Sequence, residues 1–480
     1  MALEALKPGQ VFKHFEQLSS IPRGSGNERQ VCEWICSFAK DRGFWAIKDD
    51  SNNTIAKKPG TKGLEGRPPV ILQAHVDMVC EKNADSEHDF LKDGIKLIVD
   101  GDDLHADGTT LGADNGIGVA MMLAILDSKD IAHPPLELVF TSDEETGMSG
   151  ARNLDASVLA GRRLINLDSE EEGVFCASCA GGMRTTVELP LDKIELPASY
   201  GLFSLKVKGL KGGHSGVDIN KGRGNSNQLL GRVLRALVKE GAWIQSVSGG
   251  SKENALPRES EAVIAFAREQ FDLMARVVFE HDTVFKKELR ATDPGVALEL
   301  APAEILERSA LGEECANKAI SLLLSLPSGV KSMSFYIPDL VETSSSLSVV
   351  ETTGQVIRYH ISLRSSVETR KWALKEVVEA VSDLAGAKFE MGASYPEWEF
   401  NPDSPLRKAA IEAWESQGRT AKVEAIHAGL ECGLFSRMLP GADMISLGPD
   451  MFDVHSPQER LSISSTERVW SFLQRLLAAL

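Results

Sequence analysis

Val70-Ile71-Leu72 is an unbroken apolar run behind the turn signal Pro68-Pro69. Such a run predicts a strand covered on both faces, as in a parallel sheet. The apolar character stops at His75-Val76-Asp77. An imidazole at the exit of a buried strand can offer one ring nitrogen to a metal, while a carboxylate two residues on holds the other and fixes the tautomer. A single His-x-Asp constrains little, because the pattern arises often by chance. Its weight comes from repetition: four later stretches also place a metal-type ligand at the end of an apolar element.

Gly108 to Gly118 is glycine-rich and runs into Val119–Leu126, a predicted buried helix with Asp114 near its start. The glycines at 112, 116 and 118 have the wrong order for G-x-G-x-x-G, and no suitable strand directly precedes them, so a dinucleotide site is not expected. An Asp at a helix start is most often a cap, and Asp114 alone leaves capping and metal binding both open. Leu136–Thr141 (LELVFT) predicts a second strand, ending in Asp143-Glu144-Glu145. Three consecutive acids repel one another unless a cation neutralises them; a solvated acidic loop is the alternative. Leu164–Leu167 predicts a third strand ending in Asp168, with Glu170 to Glu172 beyond it expected to be exposed. Upstream, Asn27 is expected to cap a helix reaching about Arg42, with Gly43 as its stop. Residues 81–107 read as an irregular, partly β excursion. Near the other end, a strand at Met444–Leu447 leads toward His455, and a last helix with one apolar face begins near Ser465.

At 480 residues the length prior allows about three domain-sized units. From Gly182 the texture changes to repeated strand–helix alternation, with two related β-α halves, and after Tyr395-Pro396 the first texture resumes. The expected organisation is therefore a catalytic domain in two parts, 1–181 and 393–480, with a second domain, 182–392, inserted. The formal charge of −17 argues against a nucleic-acid partner or an anionic membrane surface. The longest strongly apolar stretch, Val119–Leu126, is too short to span a bilayer. The first residues lack a basic segment followed by an apolar core, so no secretory signal is expected. The seven cysteines, scattered and odd in number, suit a reducing cytoplasm. Cys176 and Cys179 form a C-x-x-C, but no second pair lies near enough for zinc, and Gly181-Gly182 follow where a redox motif would open a helix. They read as small buried residues, and Cys32 and Cys36, one helical turn apart, as packing.

His75, Asp114, Glu145, Asp168 and His455 all lie at or beyond strand ends or at a helix start, where ligands gather in an open α/β sheet. Two imidazoles and three carboxylates suit zinc, or manganese and cobalt. Three carboxylates and a bridging hydroxide are balanced by two divalent cations, whereas one cation would leave surplus buried negative charge. Asp114 would bridge the pair, His75 and Asp168 would complete one cation, and Glu145 and His455 the other. Such a pair lowers the pKa of water from about 15.7 toward about 7 and polarises a carbonyl. Glu144, beside Glu145, is placed to be general base and acid, and Asp77 to orient His75. The chemistry implied is hydrolysis of an amide bond.

The motifs QAHVDMVCEKN, DGTTLGADNGIGVA, TSDEETGMSGA, INLDSEEEG, AGGM, GGHSGVDINKGRGNSN, HAGLECG and VHSPQE together resemble the co-catalytic zinc dipeptidases and deacylases, which include carnosinase and carboxypeptidase G. Within that group the chain is most similar to the bacterial aminoacyl-histidine (Xaa-His) dipeptidases, over nearly its whole length. The resemblance implies an α/β fold, a mixed and largely parallel sheet flanked by helices, with an inserted α+β lid domain that also makes a homodimer. It implies a dipeptide substrate, including β-alanyl-histidine, and a cis peptide at Asp114–Asn115. It assigns substrate contacts to His214, to Arg364, which resembles an arginine that binds the substrate carboxylate, and to Gly429. A sibling tripeptidase, an N-acyl-amino-acid deacylase and a non-catalytic binding protein remain open on the same residues, although intact Glu144 and five intact ligands speak against the last.

Overall fold

The computed structural model describes residues 3–304 and 307–480. They form two compact units. One runs up to Cys179 and includes Phe400–Ala425 and Leu430–Leu480; the other comprises Ala180–Glu399 with Ile426–Gly429. Among the described residues no helix is long and apolar enough to cross a membrane.

The first unit is built on an eight-stranded sheet in the order Trp45–Lys48, Thr54–Lys58, Leu136–Thr141, Val70–His75, Arg163–Asn166, Asp443–Ser446, Val174–Cys179 and Lys422–Ile426. Its four central strands are parallel, with antiparallel neighbours outside them. Val70–His75 and Leu136–Thr141 are buried at every position, as unbroken apolar runs predict for strands covered on both faces. In register, His75 lies opposite Thr141, and Gln73 lies opposite both Val139 and Asn166. The strand exits that carry the candidate ligands therefore stand side by side.

Helix Ala113–Asp127 is buried almost throughout. It begins at Gly112, whose φ of 69° is a left-handed conformation that favours glycine. The peptide between Asp114 and Asn115 is cis, as the resemblance implies. His455 is not at the end of a main-sheet strand. It sits between Met451–Phe452 and Arg460–Ser462, two strands of a separate four-stranded sheet completed by Asp103–Ala106 and Leu97–Asp100. Two further expectations need correction. The helix expected to start at Asn27 runs Arg29–Asp41, with Glu28 at its N-cap. Glu172 is not a solvated acid: Arg468 and Arg419 both donate to it, which draws its carboxylate inward. Cys176 and Cys179 lie buried on one strand, and Cys32 and Cys36 are buried in one helix.

The second unit holds a nine-stranded antiparallel sheet; eight of its strands form two β-α-β-β-α-β halves, and the ninth, Gly329–Met333, pairs with Val341–Thr353. In the first half, Tyr200–Lys208, Trp243–Gly249, Ser260–Ala267 and Ala297–Pro302 stand in spatial order four-one-three-two. In the second half, Gly181–Pro190, Val341–Thr353, Val356–Ser365 and Lys388–Tyr395 repeat that order in reverse. The first half is spliced into the second after Pro190, and the two join where Ser248 and Gly249 pair with Glu351 and Val350. The helices cover one face. Along Val356–Ser365, Ile357, Tyr359, Ile361 and Leu363 face them in the apolar core, while Arg358, His360 and Arg364 alternate onto the opposite face.

Candidate active site

In the first unit, all seven residues singled out from its sequence meet. Asp114 Oδ1 is 3.1 Å from His75 Nε2, and its Oδ2 is 3.1 Å from His455 Nε2. Asp168 lies 3.3 Å from His75 Nε2, and Glu145 lies 3.0 Å from His455 Nε2. The candidate ligand atoms of His75, Asp114 and Asp168 all lie within 4.8 Å of one another, as do those of Asp114, Glu145 and His455. Each triad is one imidazole and two carboxylates, and the two share Asp114. That donor set fits a pair of divalent cations bridged by one carboxylate.

Electrostatics agree with this fit. Hydrogen bonds to Asp114 and Glu145 push His455 up to about 11. Burial opposes a charge on His75, yet Asp168, Asp114 and Asp77 outweigh it and raise its pKa well above the ordinary value. Burial, with Asp114 and Glu145 beside it, lifts Asp168 to about 6. Without a cation, the carboxylates hold protons on both imidazoles. Burial also raises the Glu144 carboxyl well above the usual range, with Asp168, Glu431 and Glu145 adding to it.

Asp77 is fully buried, and Oδ1 lies 3.3 Å from His75 Nδ1. It also accepts from the backbone N–H groups of Glu144 (3.1 Å) and Glu145 (3.2 Å) and from the Ser25 hydroxyl (2.8 Å). One carboxylate thus anchors the acidic turn and stands within ion-pair distance of an imidazole. That turn leaves its strand through Asp143, which has a φ of 57°.

Several residues of this unit escaped the sequence reading. The Glu459 carboxylate accepts four successive backbone N–H groups: Leu111 at 2.7 Å, Gly112 at 2.9 Å, Ala113 at 2.8 Å and Asp114 at 3.3 Å. It thereby caps the helix that carries Asp114 near its start. Arg23, 2 % exposed, donates to the carbonyls of Val76 (2.9 Å), Asp77 (3.2 Å) and Gly112 (2.5 Å). It ties the first strand exit to the same loop. Beneath them, Asn166 donates to Gln73, and Gln73 and Thr141 both donate to Glu431. Gln73 and Asn166 each stand two residues before a candidate ligand, so they share its side of the strand. Burial pushes Glu431 up to about 8.

In the second unit, His214, Arg364 and Gly429 also converge. His214 Nδ1 accepts from the backbone N–H groups of Gly216 (3.2 Å) and Val217 (3.1 Å). The proton therefore sits on Nε2, which is left as a donor. Burial, with Arg364 nearby, lowers the His214 pKa and keeps the ring neutral near pH 7. Arg364 Nη1 donates to the Tyr395 hydroxyl at 2.7 Å. His427 Nε2 is 2.7 Å from Ser344 Oγ, and burial, with Arg364 and His214 beside it, pushes His427 down to about 3. A Cβ at Gly429 would stand 2.7 Å from the Tyr395 ring, and one at Gly216 would stand 2.3 Å from the His427 carbonyl oxygen. Tyr395, Ser344 and His427 escaped the sequence reading as well.

Glu459→Gln should lower stability, because an amide has one acceptor oxygen for N–H groups that now use two. The expected loss is about 2–3 kcal/mol, read as a shift in the urea unfolding curve; an unshifted curve would contradict the capping role.

Residues 71–479 match the sequence model of peptidase family M20/M25/M40. Over 477 residues the chain is 40% identical to the cytosol non-specific dipeptidase of Escherichia coli, covering 99% of this chain and 98% of that one. It superposes on the crystal structure of aminoacylhistidine dipeptidase from Vibrio alginolyticus with a TM-score of 0.95 at 36% identity, covering 100% of this chain and 98% of that one. A Bacillus cereus aminopeptidase structure, at a TM-score of 0.57 and 16% identity over 98% of both chains, shares the fold. With this coverage, and with the expected strands and helices in place, the chain belongs to peptidase family M20/M25/M40.

Proposed function

We propose that the chain is a metal-dependent dipeptidase that cleaves Xaa-His and other dipeptides, β-alanyl-histidine among them. The observation that carries this reading is Asp114, whose two oxygens each face a different imidazole. His75 and Asp168 would hold one divalent cation and Glu145 and His455 the other, with Asp114 within reach of both. Zinc suits these nitrogen and oxygen donors first, with cobalt or manganese as alternatives. When bound, the cations supply a water of lowered pKa and a Lewis acid for the scissile carbonyl.

The chain's own groups do the rest. Asp77 holds His75 Nδ1, so that Nε2 is the ligating nitrogen. Glu144 accepts the proton of the attacking water and returns it to the departing amine; its raised pKa suits a group that must do both near neutrality. His214 donates through Nε2–H to a substrate oxygen. Arg364 takes the C-terminal carboxylate, and Gly429 lines the space beside it. The chain's two similar relatives, a non-specific dipeptidase and an aminoacylhistidine dipeptidase, support a dipeptide substrate of broad composition. A cytosolic location follows the name of the first. A lid role for the Ala180–Glu399 unit, and a homodimer formed through it, rest on the resemblance alone.

Glu144→Gln should keep two metal ions per chain and lose turnover by about 100-fold or more, whereas His455→Ala should retain only one ion. Metal analysis beside a panel of dipeptides, tripeptides and N-acyl amino acids tests both points. Equal metal loss in the two variants, or turnover of the acylated compounds alone, overturns the reading. Metal affinity should also rise with pH. A cation must displace the protons that the carboxylates hold on His75 and His455, so binding releases protons and acid strips the metal. Calorimetry in buffers of different ionisation enthalpy counts the protons released, and a pH-independent affinity would refute the assignment.

A further inference from the structure

Ser344, Arg364, Gly182 and Tyr395 stand in one row across four neighbouring strands of the second unit. Directly opposed residues on antiparallel strands project to the same face, here the face away from the helices. Gly182 lies between Arg364 and Tyr395 and has no side chain, so the arginine crosses over it to reach the phenol. An alanine methyl at Gly182 would stand 2.4 Å from Tyr395 Cζ, closer than any real contact.

The row depends on a β-bulge. Met391 pairs with Thr185, yet Ser394 pairs with Met183 and Tyr395 with Gly182. Three steps on one strand match two on the other. Without the extra residue, Tyr395 would oppose Gly181 and point to the helix-covered face. The bulge therefore serves to put the phenol on the face of Arg364.

Arg364 is 7 % exposed, and its Nε is buried with no hydrogen-bond partner. An ionised guanidinium N–H left in that state is costly unless an acceptor arrives. A Cβ on Gly216 would come within 3.1 Å of that same Nε and 2.3 Å of the His427 carbonyl oxygen, so glycine at 216 is what lets its backbone pass this close to the guanidinium. We propose that Tyr395 is the positioning residue of a carboxylate clamp. By taking Nη1, it fixes the guanidinium so that the Nε–Nη2 edge is left for the C-terminal carboxylate of the dipeptide, which accepts from both nitrogens. The clamp is set before substrate arrives, so less side-chain freedom is lost on binding. This rests on the reading of Arg364 given above.

The test compares Tyr395→Phe and Arg364→Lys with the unaltered metal-loaded enzyme. For each, kcat and KM are measured on a dipeptide, together with inhibition constants for a non-cleavable dipeptide isostere as the free acid and as its C-terminal amide. Tyr395→Phe should raise KM and cut the acid-over-amide preference by about 10-fold with kcat little changed, the mark of lost binding that ground and transition states share. A lesion of general packing would weaken acid and amide alike. If Arg364→Lys abolishes the preference while Tyr395→Phe keeps it, the positioning role is overturned and the carboxylate reading stands. If Arg364→Lys keeps the preference, the carboxylate reading itself falls and the clamp falls with it.

Discussion

Two imidazoles leaning on opposite oxygens of one carboxylate set the terms for the rest of the first unit. Asp114 cannot serve both His75 and His455 unless its backbone is held at a fixed height above the parallel strands. Burial raises the proton affinity of Asp168 and Glu144, and the carboxylates crowded beside them add to it. The fold resolves the conflict with positive charge at the centre of the cluster, whether carried by protons on the imidazoles or by cations.

That arrangement is supported from outside by groups that do not reach its centre. Glu459 gathers the N–H groups at the start of the helix carrying Asp114, and Arg23 gathers carbonyls from the strand exit carrying His75 and from the same loop. One handles the positive end of a helix, the other bare carbonyl oxygens, and both are charged side chains taken out of water. Removing such groups from solvent is tolerable only because each makes several hydrogen bonds in return. The Gln73–Glu431 network beneath the strands works in the same way with mostly neutral partners.

The parallel strands and their exits were legible because strands buried on both faces must be continuously apolar, and a polar residue that ends such a run announces itself. His75, Asp168 and the acidic turn after Thr141 were found that way. His214, Arg364 and Gly429 came through the resemblance rather than through any periodic signal. Arg23 and Glu459 were not found, since a buried charge satisfied by backbone atoms leaves no pattern in sequence. Glu172 was misread for a related reason: its partners Arg419 and Arg468 are distant in the chain. Tyr395 lay beyond reach because its side of the sheet is decided by a bulge, and bulges follow from pairing between strands rather than from the residues of one strand.

The splice in the second unit bears on the order in which it can assemble. Pairs inside the first half close modest loops; Ser204 meets Glu261 across 57 residues. The strand bearing Gly182 must wait for partners made much later, as Thr186 meeting His360 across 174 residues illustrates. Loop-closure entropy delays such distant pairings. By the same argument the Gly181–Pro190 strand is expected to pair after the β-α-β-β-α-β module spliced in beside it, so that within this unit the Arg364 row closes late.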